Sequence, residues 1–146
     1  FVLAALALAT VLSAPADAAP IKITGTSSKS DYDKAGVGFA SQRVKDGFVK
    51  PWYEGEPGSG VGSWVSVEFD GPKTVSRIVM LPGDWTTSTS WSPGTPPQER
   101  ELKYDDGSTE TWTLDDEMKP QTFRPAKKPS TASIRFRVTR WRRDCR

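Results

Sequence analysis

The stretch WVSVEF, residues 64–69, alternates strictly, with Val65, Val67 and Phe69 apolar and Trp64, Ser66 and Glu68 on the opposite side of the period. An extended chain turns successive side chains to opposite faces, so this run predicts a strand with one face in a core and the other in water. SIRFRVTRW, residues 133–141, repeats the pattern, with Ile134, Phe136 and Val138 set against Arg135, Arg137 and Thr139. VSRIVML, residues 75–81, carries Val75, Ile78, Val79, Met80 and Leu81 and predicts a more completely buried strand. ERELKYDDGSTETWTL, residues 99–114, reads as strand, Asp-Asp-Gly turn and strand, with Leu102 and Tyr104 before the turn and Thr111, Trp112 and Leu114 after it. IKITGTSS, residues 21–28, is the expected first strand. The 12 Gly and 12 Pro are scattered every few residues and interrupt any helical period. Short strands, frequent turn signals and no helical pattern predict an all-β sandwich or jelly roll. Its expected core is Val65, Val67, Phe69, Ile78, Leu102, Ile134, Phe136 and Val138.

The chain has 146 residues, enough for one domain. It opens with FVLAALALATVLSAPADAAP, an apolar run followed by Ala16-Asp17-Ala18, which has the form of a signal-peptide h-region and cleavage site. The run is too short to span a bilayer as a helix, which takes about 20 apolar residues. Residues 1–18 are therefore read as a signal peptide that begins inside its own h-region, and residues 19–146 as the exported domain. The signal segment is expected to lie detached from the sandwich, with helix as one form open to it. Cys145 is the one cysteine. Its expected partner lies beyond Arg146 or in a second chain, unless the thiol stays free. The net charge of +2 is unevenly spread. Residues 20–118 hold 10 Lys/Arg against 16 Asp/Glu, and residues 119–146 hold 10 against 1. A basic end on an acidic body suits a polyanion. The same arginines on the solvent face of a strand beside acidic neighbours are the other reading.

The residue inventory speaks against catalysis. There is no His, so Cys145 has no imidazole to activate it. No Ser sits on the strand-to-helix turn that a nucleophile elbow needs. The carboxylate pairs Asp105–Asp106 and Asp115–Asp116 fall in turns, where adjacent acids are solvated rather than divided into general acid and base. No metal-ligand cluster is visible, and no cofactor is expected.

Binding chemistry is better represented. GDWTTSTSWSPGTPPQE, residues 83–99, has no strand pattern and places Trp85 and Trp91 among Ser, Thr, Pro and Gly. A loop this long in a compact domain is commonly functional. An indole plane can stack on the C–H face of a pyranose while nearby groups such as Asp84 bond its hydroxyls. Both indoles are expected to be more exposed than Trp52 and Trp64; folding back onto the rim is the alternative. Trp141, flanked by Arg140, Arg142 and Arg143, is a third candidate, either as a ligand contact or as a core residue. Tyr53 and Glu54 follow Trp52, and Glu54 could accept sugar hydroxyls or tie neighbouring amides. Gly55, Gly58, Gly60 and Gly62 are expected to supply positive-φ turns. A phosphate cradle is disfavoured, since no Lys-Ser/Thr pair and no helix follow.

Taken in order, these motifs resemble a family. SQRVKDGFVKPWYEGEPGSGVGSWVSVEF (residues 41–69), with its Asp-Gly, Trp, Glu-Gly and glycine-rich step into a Trp-led strand, resembles the discoidin-type, galactose-binding-like fold. More closely it resembles the subgroup of NADase-type glycan-binding, or translocation, domains. VSRIVMLPGDW resembles that subgroup's next strand, LKYDDGSTETWTLDD with PQTF its hairpin and Gln-Phe element, and SIRFRVTRW its penultimate strand. The resemblance spans residues 21–141. It departs at GTPPQER, which lacks the subgroup's Asn-Arg pair, and at RWRRDCR, which replaces a tyrosine-rich turn, so the closing strand is expected to be missing or out of register. Asp46-Gly47 is followed by Phe48, which does not suit the calcium loop of other discoidin domains.

The resemblance implies a discoidin-like jelly roll in which Trp52 caps the core and the loop bearing Trp85 and Trp91 presents ligand contacts. The expected function is non-catalytic glycan binding by a secreted or otherwise extracytoplasmic module. Tyr53, Glu54, Asp84, Trp85, Trp91, Arg140 and Trp141 are its ligand-binding candidates. The ligand class is a cell-surface or extracellular polysaccharide. The alternative is an adhesion module that takes a protein or polyanion on the Arg-rich end. No nucleic acid, no metal and no transmembrane segment in the exported form are expected.

Overall fold

A computed structural model describes residues 6–7, 20–29, 32–34, 37–39, 60–83, 89, 91, 93 and 97–141. Every element among them is a strand: β1 (Leu6–Ala7), β2 (Gly25–Ser28), β3 (Tyr32–Lys34), β4 (Val37–Phe39), β5 (Trp64–Thr74), β6 (Ile78–Pro82), β7 (Glu99–Tyr104), β8 (Thr109–Thr113), β9 (Gln121–Phe123) and β10 (Ser130–Arg140). A five-stranded sheet has the order β2-β5-β10-β7-β8, a three-stranded sheet has the order β1-β6-β9, and β3 pairs with β4. All neighbours are antiparallel.

The strand β10 lies at the centre of the larger sheet. Phe136 stands opposite Val65 of β5 and Leu102 of β7, and Ile134 stands opposite Val67 and Tyr104. All eight residues expected in the core are buried. Ile78 and Met80 of β6 share one cluster with Val65, Leu102, Ile134 and Phe136, so the two sheets face each other across a common core. Trp112 of β8 stacks on Phe123 of β9 with ring centroids 5.3 Å apart, which joins the sheets at one side. The outward positions of β10, including Arg135 and Arg137, are exposed, as the period-two pattern requires.

Two irregularities shape the sheet. The β5–β10 register jumps between Thr131↔Lys73 and Ser133↔Glu68, so β5 bulges over Phe69-Asp70-Gly71-Pro72. Gly71 takes φ +111° there, and Lys73 Nζ reaches Asp70 at 2.9 Å. The β7–β10 register shifts between Val138 and Arg140.

Two expectations are corrected. Regular pairing of the first strand begins at Gly25 rather than Ile21, although the Thr24 amide already donates to the Glu68 carbonyl at 2.8 Å. The apolar N-terminal segment is not wholly detached, because Leu6 and Ala7 pair with Pro82 and Leu81 of β6. An edge strand offers amides and carbonyls to any extended segment within reach, and the side of β6 away from β9 takes this one.

Candidate functional site

The antiparallel order brings several chain segments to one end of the sandwich. There β5 starts at Trp64, β7 starts at Glu99, β8 ends at Thr113 and β10 ends at Arg140. A three-residue link, Val75 to Arg77, leads from the far end of β5 into β6, so β6 returns to this end at Pro82. The long loop between β6 and β7 therefore belongs to the same end as the glycine-rich step that precedes β5.

The described part of that glycine step is a tight turn. Gly60 and Gly62 take φ +70° and +91°, the positive values expected of them. The Ser63 amide donates to the Gly60 carbonyl at 3.0 Å, the Gly62 amide to Val138 at 2.8 Å, and the Val138 amide to Ser63 at 2.9 Å. The turn is thus zipped onto the end of β10. On the other side of β10, the Gln98 amide donates to the Arg140 carbonyl at 3.0 Å, and the Leu114 amide donates to Gln98 at 2.8 Å.

Trp91 is half-buried, and its indole Nε1 donates to the Pro82 carbonyl at 3.0 Å. The expectation of an indole held loosely by a polar loop is not met at this position. Its ring is tied back to the end of β6, and it is half-buried, as Trp64 is. The reason is that Pro82 ends its strand with a carbonyl that an indole N–H can reach. Trp141 is also half-buried, with its Nε1 atom buried and without an acceptor among the described residues. Arg140 is exposed and pairs with Glu99 at 3.4 Å, while Glu99 also accepts from the Thr139 hydroxyl at 2.9 Å. Trp91, Arg140 and Trp141 therefore lie at one end of the sandwich. Tyr53, Glu54, Asp84 and Trp85 lie outside the described residues, as does Trp52.

The basic strand has local partners on its outer face. The Arg135 guanidinium stacks 3.8 Å over the Trp64 ring and donates through Nε to Ser66 Oγ at 3.1 Å. Arg137 reaches Glu101 at 3.5 Å. Each exposed pair adds little stability, but together they temper the positive charge of this strand.

Arg100 was not among the sequence candidates. It is the largest fully buried side chain, at 0% exposure. Its Nε, Nη1 and Nη2 have no acceptor among the described residues. Burial lowers its pKa to about 10, so the group is still a cation at neutral pH. The register sets it beside Val138 of β10 and Trp112 of β8. The signal was present in the sequence, because the alternation that turns Leu102 and Tyr104 inward reaches Arg100 one step earlier.

The carboxylate pairs do turn chemistry. Asp106 Oδ1 accepts from the Ser108 amide at 2.8 Å and its hydroxyl at 2.6 Å, which holds that carboxyl below its usual range. Asp105 Oδ2 accepts the Ala132 amide at 2.7 Å and so ties the β7–β8 turn to β10. Asp115 receives Lys119 at 3.2 Å, and its backbone exchanges two hydrogen bonds with the Gln121 side chain. Among the described residues no three His, Cys, Asp or Glu group together to hold a metal, and no helix is long and apolar enough to cross a membrane.

An antiparallel two-sheet architecture with a loop-bearing end fits a discoidin-type module. Residues 17–143 match the family described as the NAD glycohydrolase translocation F5/8 type C domain. The chain belongs to that family, and the domain that defines it is a translocation domain rather than a catalytic one. Among curated proteins, none matches the chain.

Proposed function

We propose that this domain is a non-catalytic carbohydrate-binding module of an exported protein. Its ligand end is the one formed by the Gly60–Ser63 turn, the β6–β7 loop and the end of β10. The observation that carries the reading is Trp91. Its indole is partly accessible and is fixed by the bond from Nε1 to Pro82. A ring oriented before the ligand arrives loses less freedom on binding, which favours stacking on a sugar face. Arg140 and Trp141 border the same end and would supply donors to hydroxyls. Tyr53, Glu54, Asp84 and Trp85 complete the set of residues to be tested. The family's description ties such domains to translocation of an NAD glycohydrolase, a role in which a glycan-binding module would hold its cargo at a cell surface.

The adhesion alternative, which uses the Arg-rich end for a polyanion, draws less support. Arg135, Arg137 and Arg140 are each engaged by an aromatic or an acid. A glycan array on the full chain, repeated at high salt, tests both. Stacking on neutral sugar survives added salt, whereas polyanion binding falls steeply as counterions compete. Absence of binding to any glycan, or binding untouched by Trp91→Ala in a folded protein, overturns the proposal.

A further inference from the structure

The end of the sandwich that carries the proposed glycan site also holds an unmatched set of buried hydrogen-bond donors. All three guanidinium nitrogens of Arg100 and the Nε1 of Trp141 are buried without acceptors among the described residues. Both lie toward the same end of the larger sheet. Val138 of β10 stands opposite Arg100, and the shift after Val138 sets Arg140 opposite Glu99, with Trp141 the next residue. Side chains there follow the alternation, with Val138 buried, Arg140 exposed and Trp141 half-buried again.

A guanidinium can present five N–H donors, has no acceptor capacity and stays charged at neutral pH. Fully buried and set by register beside Val138 and Trp112, it loses water without gaining a partner among the described residues, a state that strongly favours any group able to supply negative charge and two oxygens. The geometry that suits a guanidinium best is the planar carboxylate, taken up through two parallel N–H···O bonds. Toward the same end, the Trp141 indole N–H is a further buried donor without an acceptor among the described residues. Arg140 on the exposed side is already engaged by Glu99 at 3.4 Å, so it does not compete for the same group.

We infer that Arg100 is the recognition point for the carboxylate of an acidic sugar, and that the ligand is a uronic-acid-bearing glycan. This rests on the glycan-binding reading above and narrows it to a substrate class. Trp91 would present an aromatic face to the sugar ring, and the carboxylate would reach inward past the half-buried Trp141 to the guanidinium. Because the carboxylate replaces no existing ion pair of Arg100 among the described residues, its binding should raise thermal stability as well as give affinity.

The test titrates the full chain with galacturonate oligosaccharides and with galactose oligosaccharides of the same length, by calorimetry and by thermal melting. The wild-type protein should bind the acidic series at least tenfold more tightly and melt higher in its presence. Arg100→Met should keep or raise the melting temperature without ligand, since an apolar chain replaces a buried charge, and should bind both series equally. Arg100→Lys should retain a weakened acidic preference. Equal affinity of the wild-type protein for both series overturns this inference and leaves the glycan reading standing. Binding of neither series overturns both. If Arg100→Met melts far below wild type and Arg100→Lys restores stability without any anion dependence, the guanidinium is matched by a carboxylate of the chain itself, and the inference fails.

Discussion

Phe136→Ala is the sharpest probe of the fold. Phe136 is 0% exposed and sits on the central strand of the larger sheet, opposite Val65 and Leu102, which are also 0% exposed. Both neighbouring strands are held by antiparallel ladders, so the site cannot close around a smaller side chain. The lost transfer energy of the ring is about 2 kcal/mol. A residual cavity of about 80 Å³ adds roughly 2 kcal/mol at about 24 cal/mol per Å³. The sum, about 4 kcal/mol, lies within the range of about 3–5 kcal/mol found for Phe→Ala in cores. Urea denaturation followed by Trp fluorescence should show a midpoint lowered by about 2 M if m is about 2 kcal/mol/M. The melting temperature should fall by roughly 10–20 °C. Phe136→Leu should cost about a third as much, because it removes less volume. A loss below about 1 kcal/mol for Phe136→Ala would mean that the two sheets do not close over this residue, and the inward assignment of Ile134, Phe136 and Val138 would fall with it.

The remaining predictions concern the turn, the site, the leader and pH. Gly107 takes φ +86° in the β7–β8 turn, so Gly107→Ala should lower stability by about 1–2 kcal/mol in the same urea assay. Trp91→Phe keeps a ring but loses the bond to Pro82, so it should weaken sugar binding several-fold with little change in melting temperature, whereas Trp91→Ala should abolish binding. N-terminal sequencing of the exported protein should begin at Ala19, and an intact apolar segment would refute the signal-peptide reading. Burial, and then the hydrogen bond to Glu110, raise the Tyr104 pKa above its ordinary value. The unfolded chain then loses this proton near pH 10 while the folded one keeps it, so Tyr104 stabilises below that pH and its contribution declines above it, by up to about 1.4 kcal/mol per pH unit. Arg100, lowered to about 10 by burial, acts with the opposite sign in the same window. The difference between wild type and Tyr104→Phe therefore isolates the tyrosine, and parallel stability curves above pH 10 would refute its role.

Most of the fold was legible because a half-buried antiparallel strand writes its orientation directly into the sequence. WVSVEF and SIRFRVTRW could be read residue by residue, and the observed register sets their apolar positions opposite each other. The pairing partners themselves were not legible. Nothing in the alternation says that β10 lies between β5 and β7, since that depends on contacts far apart in the chain. The bulge over Phe69–Pro72 was equally hidden, because Asp-Gly-Pro reads as a turn that ends a strand, yet pairing resumes at Lys73. Trp91 shows a different limit. Its loop composition argued for exposure, but the acceptor that holds it, the Pro82 carbonyl, is a backbone group that any residue type would present.

Arg100 marks the place where the rules of local sequence and of burial conflict. A charged residue at an inward position breaks the pattern that Leu102 and Tyr104 establish, and reading by residue type assigns it to the surface. Its neighbours invite that error, since Glu99, Glu101 and Lys103 surround it with true surface residues. The structure resolves the conflict in favour of the period, because turning Arg100 outward would require the strand to slip by one residue and send Leu102 and Tyr104 into water. Burying two large apolar side chains favours the observed register by about 3–6 kcal/mol, enough to carry an enclosed charge of similar cost. The register alone therefore explains why Arg100 is inside, but it does not explain why the position holds an arginine. An apolar residue there would serve the core better, and the comparison of Arg100→Met with wild type, with and without an acidic sugar, measures what the charge is for.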